Sequence, residues 1–376
     1  MHTQLLQAGS AGIGLLLLVC GSSAAQKVDL DKFNYDVSYI QLPREYVAPD
    51  QRTYGVRVEA SPMIADSYPS DAVYQKIGLS GYEKVERDPT VGVTIKLADL
   101  RFLKSDIETR TEQVKDRDGK VTGTNYYYRQ VATYAGQGEF QIRGPKAGEK
   151  PKATADAAPA NRFLAKATSN TDVPTITTVA DNNLYRVFTY RSGEYRSVVD
   201  ASRAYRDAQE VIRRNFINDF VNLSVDQVNG KLADLYGYVP ISDKQFLWIL
   251  DSDNHPEYAV QQEAIKAVQA LSKTMKATEP LTALTNDLQP LIEYFESLKT
   301  KYTKADKPDR KMRYSAFFNL GRLYLLLDQP DKAIAEGKGL MLNDYDTGDG
   351  KRIIEEAEEL KQRLAFHHLA ERHMKL

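Results

Sequence analysis

The sequence predicts an α+β fold: a mainly antiparallel sheet with helices on one face, followed by an all-α part built of helical hairpins. Three observations point there. Apolar residues alternate with polar ones at Tyr54, Val56, Val58 and Ala60, and again at Val91, Val93, Ile95 and Leu97, the period of a half-buried strand. An Asp118-Gly119 pair separates two long polar arms, and Asp-Gly supplies the positive φ that a tight hairpin turn requires. Towards the C-terminus the period becomes helical, most clearly at Phe317, Leu320, Leu323, Tyr324 and Leu327. The 376 residues suit two domains at about 150 residues each. The expected organisation is a signal segment at 1–25, an α+β domain at 26–238 and a helical domain at 239–376.

Taken in order, the chain opens on an apolar core, Ile13 to Val19, followed by Ser23-Ala24-Ala25, small residues that a signal peptidase accepts. Cleavage there predicts an exported chain that begins at Gln26. The apolar run is far shorter than the ~20 residues of a membrane span. The alternative is lipidation at Cys20, since Leu17-Leu18-Val19-Cys20 resembles a bacterial lipobox except at Val19. Membrane contact is expected only in that case. Cys20 is the single cysteine, so a chain cut after Ala25 carries no thiol for a disulfide, a nucleophile or a metal.

A first strand is expected around Tyr35, Val37 and Tyr39, and a second at Tyr54–Ala60. Ser70-Asp71 cap a short helix, Ala72 to Ile77, that Gly78 ends. After the strand at Val91–Leu97 come the hairpin arms, Phe102 to Val114 and Thr122 to Ala135. Apart from Tyr126, Tyr127 and Tyr128 the arms are polar, so at least one face meets water. Gly136-Gln137-Gly138 reads as a break before a further strand at Glu139–Arg143. Residues 144–174, rich in Ala, Pro, Lys and Thr, read as a loop-rich insertion. Leu184–Tyr190 is the last expected strand, before one helix from Tyr195 to Phe220 and another from the Ser224 cap to Leu235. From there only helices are expected. They are Asp243–Leu250 behind Ser242, Pro256–Met275, Pro280–Tyr302, the pair within 314–342 hinged at Asp328-Gln329-Pro330, and Gly350–His373.

The positions Phe317, Leu320, Gly321, Tyr324 and Ala333 resemble a tetratricopeptide repeat, in which small residues let two helices close and large ones fill the gap. The pattern departs from that repeat at Gly337, where a large aromatic is usual, and lacks the closing proline near Tyr345. The element order from Val28 to Tyr238, with Gly81-Tyr82-Glu83-Lys84-Val85 and Asp88-Pro89, resembles the α+β domains of small bacterial envelope lipoproteins. The signal segment and its Ala-Gln-Lys junction resemble those of exported Bacteroidota proteins. Together these resemblances imply a scaffold or adaptor in the periplasm or at the outer membrane, with other envelope proteins as partners.

The chemistry points the same way. Fifty basic residues balance fifty-one acidic ones, so the electrostatic footprint of nucleic-acid binding is missing. Asp344, Asp346 and Glu355 occupy positions 1, 3 and 12 of a calcium loop, but position 6, which needs glycine, is Asp349. Capping and turn formation is the preferred reading there and at Asp251-Ser252-Asp253-Asn254-His255, and no metal is expected. His367, His368 and His373 lack the i, i+4 spacing of a helical metal pair and read as solvated tail residues. His255 is then the one histidine available to a catalytic set, and no G-x-S-x-G elbow or P-loop accompanies it. Neither catalysis nor a cofactor is expected. The alternative is a glycan-binding or glycan-cleaving surface built on Tyr126, Tyr127 and Tyr128, against which stands ordinary cross-strand aromatic packing.

Overall fold

The computed structural model describes residues 27–146 and 182–376. The expected signal segment with Cys20 and most of the loop-rich insertion expected at 144–174 lie outside the described residues. The chain forms two compact units. One, here the sheet unit, comprises Asp36–Asp243, Thr274–Leu284 and Glu359–Leu376; the other, the helical unit, comprises Met1–Tyr35, Lys244–Lys273 and Thr285–Glu358. Two strands, β1 (Leu30–Gln41) and β7 (Val239–Leu250), pair as a separate two-stranded sheet and contribute residues to both units. Among the described residues no helix is long and apolar enough to cross a membrane.

The sheet unit is built on β2 (Thr53–Ala60), α1 (Pro62–Ser67), α2 (Ser70–Lys76), β3 (Glu83–Lys84), β4 (Val91–Lys115), β5 (Val121–Arg143), β6 (Arg186–Arg191) and α3 (Val198–Leu235). Its five strands run in the order β3-β2-β4-β5-β6. The pairing is mixed rather than mainly antiparallel, because β2 runs parallel to both β3 and β4. The helical crossover through α1 and α2 makes that possible, since parallel neighbours cannot be joined by a tight turn. Val91, Val93, Ile95 and Leu97 point into the core, where they meet Ile217, Phe220, Val221, Val225, Val228 and Leu232 of α3. Gly92, Thr94 and Lys96 lie on the other, more exposed face, the arrangement of a sheet covered on one side.

Two expected breaks are absent. Gly136-Gln137-Gly138 does not end a strand; β5 continues through it. Gly136 makes room for α3, since a Cβ there would lie 2.4 Å from the Phe220 ring, and Gly138 makes room for the backbone of β4, since a Cβ there would lie 2.5 Å from the Lys96 carbonyl. The opposing strand takes up the irregularity as register shifts between Leu97 and Asp99 and between Phe102 and Lys104. Likewise, the two helices expected at 195–235 are one. Ser224, read as a cap, is buried within a stripe of apolar residues that runs past it on both sides. Packing prolongs a helix through a residue that would otherwise start one.

The helical unit holds the second half of β7 with α4 (Tyr258–Ser272), α6 (Lys307–Leu326), α7 (Pro330–Leu342), most of α5 (Thr282–Lys301) and the first part of α8 (Thr347–Phe366). The expected helix at 243–250 is a strand instead, so the chain after Tyr238 is not all helix. Phe246-Leu247-Trp248-Ile249-Leu250 is apolar throughout and rich in aromatic and branched residues, a composition that favours extended backbone. Side-chain amides complete its hydrogen bonding. Asn319, fully buried on α6, accepts from the Trp248 N–H at 2.8 Å and donates to the Trp248 carbonyl at 2.8 Å. Gln261 accepts from the Leu250 N–H, and Gln262 donates to the Leu250 carbonyl at 3.0 Å. The last helix ends at Phe366 rather than His373.

Candidate functional site

The helix crossing read from the sequence is built from α6, α7 and α8. Leu320 and Ala333 are fully buried, Tyr324 is nearly so, and Phe317 is half-buried with the Lys299 ammonium 5.0 Å from its ring centre. A Cβ on Gly321 would meet Ile353 of α8 at 3.0 Å. Gly337, the position that departs from the repeat pattern, lies against α8: a Cβ there would be 2.9 Å from the Gly350 carbonyl and 2.7 Å from Ile354. No aromatic fits at such a backbone approach. Gly339 faces the Phe317 ring, which a Cβ would meet at 2.4 Å. The tight turn between α6 and α7 places Asp328 at φ 52°, a left-handed conformation that Asp tolerates better than most residues.

A second feature lies in the sheet unit, where β4 and β5 run on well past their neighbours. β2 accompanies β4 only as far as Leu97, and β6 accompanies β5 only from Val131 onward. Residues from Thr111 to Thr124 are exposed along both strands and the turn. The foot of this arm is clamped. Arg110 donates to both carboxylate oxygens of Glu194 at 2.8 Å each, and Arg129 approaches the same carboxylate at 3.1 Å. Arg110, hydrogen-bonded to it, holds the Glu194 carboxyl below its ordinary range. Arg191 stands 3.6 Å from Glu108, and the Tyr128 N–H and carbonyl exchange hydrogen bonds with Tyr195 at 2.8 and 2.9 Å. Beyond the clamp about five residues of each strand project, roughly 17 Å at 3.3–3.4 Å per residue.

The three tyrosines share the arm but not a surface. Strand alternation puts Tyr126 and Tyr128 on one face and Tyr127 on the other. Tyr126 is 51 % exposed, whereas the Tyr127 ring has the guanidinium groups of Arg110 and Arg196 at 4.3 and 4.1 Å. Tyr134, further along the strand, is a core residue whose hydroxyl meets that of Tyr205 at 2.8 Å.

The acidic loop before α8 is engaged in turn and cap contacts. Asp344 sits at φ 54° with Arg310 at 3.4 Å, and the Asp346 carboxylate accepts from the Gly348 N–H at 3.0 Å. Asp349 accepts from the Tyr314 hydroxyl at 2.6 Å, while Glu355 is exposed on α8. Among the described residues no group of three His, Cys, Asp or Glu side chains is placed to hold a metal ion.

Two polar centres were not foreseen. In the helical unit, buried Glu257 accepts from the Tyr294 and Tyr302 hydroxyls at 3.2 and 3.4 Å and pairs with Lys301. Burial, then the Glu257 charge, pushes both phenols up. His255, buried beside this group, accepts from the Glu257 N–H at 3.2 Å, and its pKa is lowered by burial. The i, i+7 and i, i+8 spacing of Tyr294, Lys301 and Tyr302 was the available signal; nothing local marked Glu257. In the sheet unit, His367 and His373 are each 2 % exposed, so neither is a solvated tail residue. His367 Nε2 donates to the Pro43 carbonyl at 2.9 Å, which leaves Nδ1 to accept from the Tyr238 hydroxyl at 3.1 Å. Comparison with known proteins finds no family model, no curated protein and no solved structure that matches this chain.

Proposed function

We propose that this chain is a non-catalytic scaffold or adaptor of the bacterial cell envelope, exported to the periplasm or outer membrane, that binds other envelope proteins. The observation that carries this reading is the arm. A two-stranded ribbon with both faces in water is at best marginally stable on its own. Here one is held out by a set of ion pairs at its foot, and exposed aromatic and hydroxyl side chains lie along it, a composition favoured at recognition surfaces. The α6–α7 pair supports the same reading as a tetratricopeptide-like hairpin, with Gly339 of α7 set against the Phe317 ring of α6.

The test is a chain in which residues 111–126 are replaced by a two-residue Asn-Gly turn, so that the paired residues Arg110 and Tyr127 flank it. Cross-linking mass spectrometry in envelope fractions is expected to lose partner cross-links that the intact chain makes, while the melting temperature stays within a few degrees. An unchanged cross-link set would sink the arm as the binding element. Turnover of a glycan or ester panel by the purified chain would overturn the non-catalytic reading. Intact-mass measurement of the exported form decides between a Gln26 start and a lipid on Cys20.

A further inference from the structure

The arm segregates its charges by face. Residues opposite each other in an antiparallel ladder share a face, and so do second neighbours along one strand. Glu108, Arg110, Glu112 and Arg129 therefore all lie on the face that carries Tyr127. The other face is built of three rows, Thr109 with Tyr128, Thr111 with Tyr126, and Gln113 with Thr124. Tyr195, bridged to Tyr128, widens the first row. None of these residues is charged. The threonines, Gln113 and Tyr126 are exposed. The face is bounded at the foot by α3, whose Ser202 hydroxyl donates to Gln130 in the next row at 3.0 Å, and towards the tip by the register shift after Val114. From this arrangement we propose that the uncharged face binds a neutral polysaccharide laid along the ribbon.

Size and chemistry select that ligand. At roughly 10 Å across two strands and about 17 Å along them, the face offers on the order of 200 Å², against ~800 Å² for each partner of an ordinary protein interface. The whole arm can serve a protein partner, but this face alone cannot. An extended peptide is held mainly by main-chain bonds at a free strand edge, whereas the main-chain groups beneath this face pair within the ribbon. A linear chain recognised only through its own groups remains.

Every polar side chain of the three rows is a hydroxyl or an amide, which both donates and accepts, as a sugar hydroxyl does. Tyr126 and Tyr128, second neighbours on one strand, stand about 7 Å apart. Their rings offer aromatic surface to the weakly positive C–H side of a sugar ring. A charged chain would lose hydration here without meeting an opposite charge, so the ligand is neutral. The proposal goes beyond the scaffold reading, because it gives one face of the arm a ligand that is not a protein.

An array of neutral and anionic glycans probed with the purified full chain, followed by calorimetric titration of the best neutral oligosaccharide, tests this directly. Binding to neutral glycans and none to anionic ones is expected. Its affinity should be the same at about 50 and about 500 mM salt, because no ion pair forms. Tyr126→Ala, which removes an exposed ring, and Thr111→Glu, which charges the face, are each expected to weaken binding about tenfold or more, and Glu112→Gln on the opposite face to change it less than about twofold. Far-UV circular dichroism and the melting temperature check that the three variants fold. Because the chain is tested without protein partners, the scaffold reading and this proposal can fail separately. No binding to any neutral glycan, a preference for anionic ones, folded Tyr126→Ala and Thr111→Glu variants that bind like the parent, or an equal loss in Glu112→Gln would each overturn the proposal.

Discussion

His367 has its protonation state dictated by its two neighbours. A carbonyl can only accept, so Nε2 carries the proton towards Pro43 and Nδ1 stays bare for the Tyr238 hydroxyl. Burial lowers its pKa from the ordinary 6.5, and the Pro43 hydrogen bond opposes this only in part. The sign follows: with a folded-state pKa below the unfolded one, the stabilisation is complete above 6.5 and is lost as pH falls through the lowered value. NMR titration of His367 should therefore give a midpoint below 6.5, and the sheet unit should lose stability over that acidic window. A His367→Gln variant should lose that part of the pH dependence. A midpoint at or above 6.5 would contradict the burial account. None of this was readable from residue spacing, because Pro43 and His367 are 324 positions apart. The sequence places His367 near a terminus, where solvation is the default, and only the tertiary contact reverses it.

At the scale of elements, strands with strict alternation were legible: β2 and the first part of β4 lie where the pattern puts them. Misreadings occurred where packing overrides local signals, as at Gly136 beneath Phe220 and at Ser224 inside α3, and where a uniformly apolar run carries no period to separate strand from helix, as at the end of β7. The helix crossing combines both. Small residues at 321 and 333 were visible, whereas the contacts of Gly321 and Gly337 with α8 were not, since a repeat pattern says nothing about a third helix. Ala333→Leu must force additional methylenes into a fully buried position, and overpacking costs about 1–3 kcal/mol. Gly337→Ala should cost a similar amount, because its methyl would meet the Gly350 carbonyl at 2.9 Å. Lys332→Leu, exposed one residue from Ala333, should change stability by less than about 0.5 kcal/mol. Denaturant titration of the three variants checks the order; equal midpoints for Ala333→Leu and Lys332→Leu would remove Ala333 from the crossing.

On the scale of the whole molecule, neither unit is a continuous stretch. The sheet unit needs the C-terminal segment: the Ile40 N–H donates to the Arg372 carbonyl at 2.9 Å, His373 Nε2 to the Ser38 carbonyl at 2.8 Å, and the Met374 N–H to the Ala277 carbonyl at 3.2 Å. A fragment ending at Tyr238 lacks all three, and the Tyr238–His367 contact as well. It should melt without a cooperative transition and bind a hydrophobic dye; a sharp transition matching that of the full chain would show the later segments to be dispensable. Such interleaving was illegible from sequence, because the composition shift near Tyr238 marks a change of secondary structure and not of chain ownership. The lone tryptophan offers a practical handle on the two units. Trp248 lies in the helical unit, ringed by Phe246, Tyr314 and Phe318 with the Lys32 ammonium 5.6 Å from its ring. Indole emission is thus a built-in reporter of that unit alone, whereas ellipticity sums over both. The two optical signals recorded in one titration therefore resolve whether the interleaved halves unfold in one step or in succession, without any label being attached.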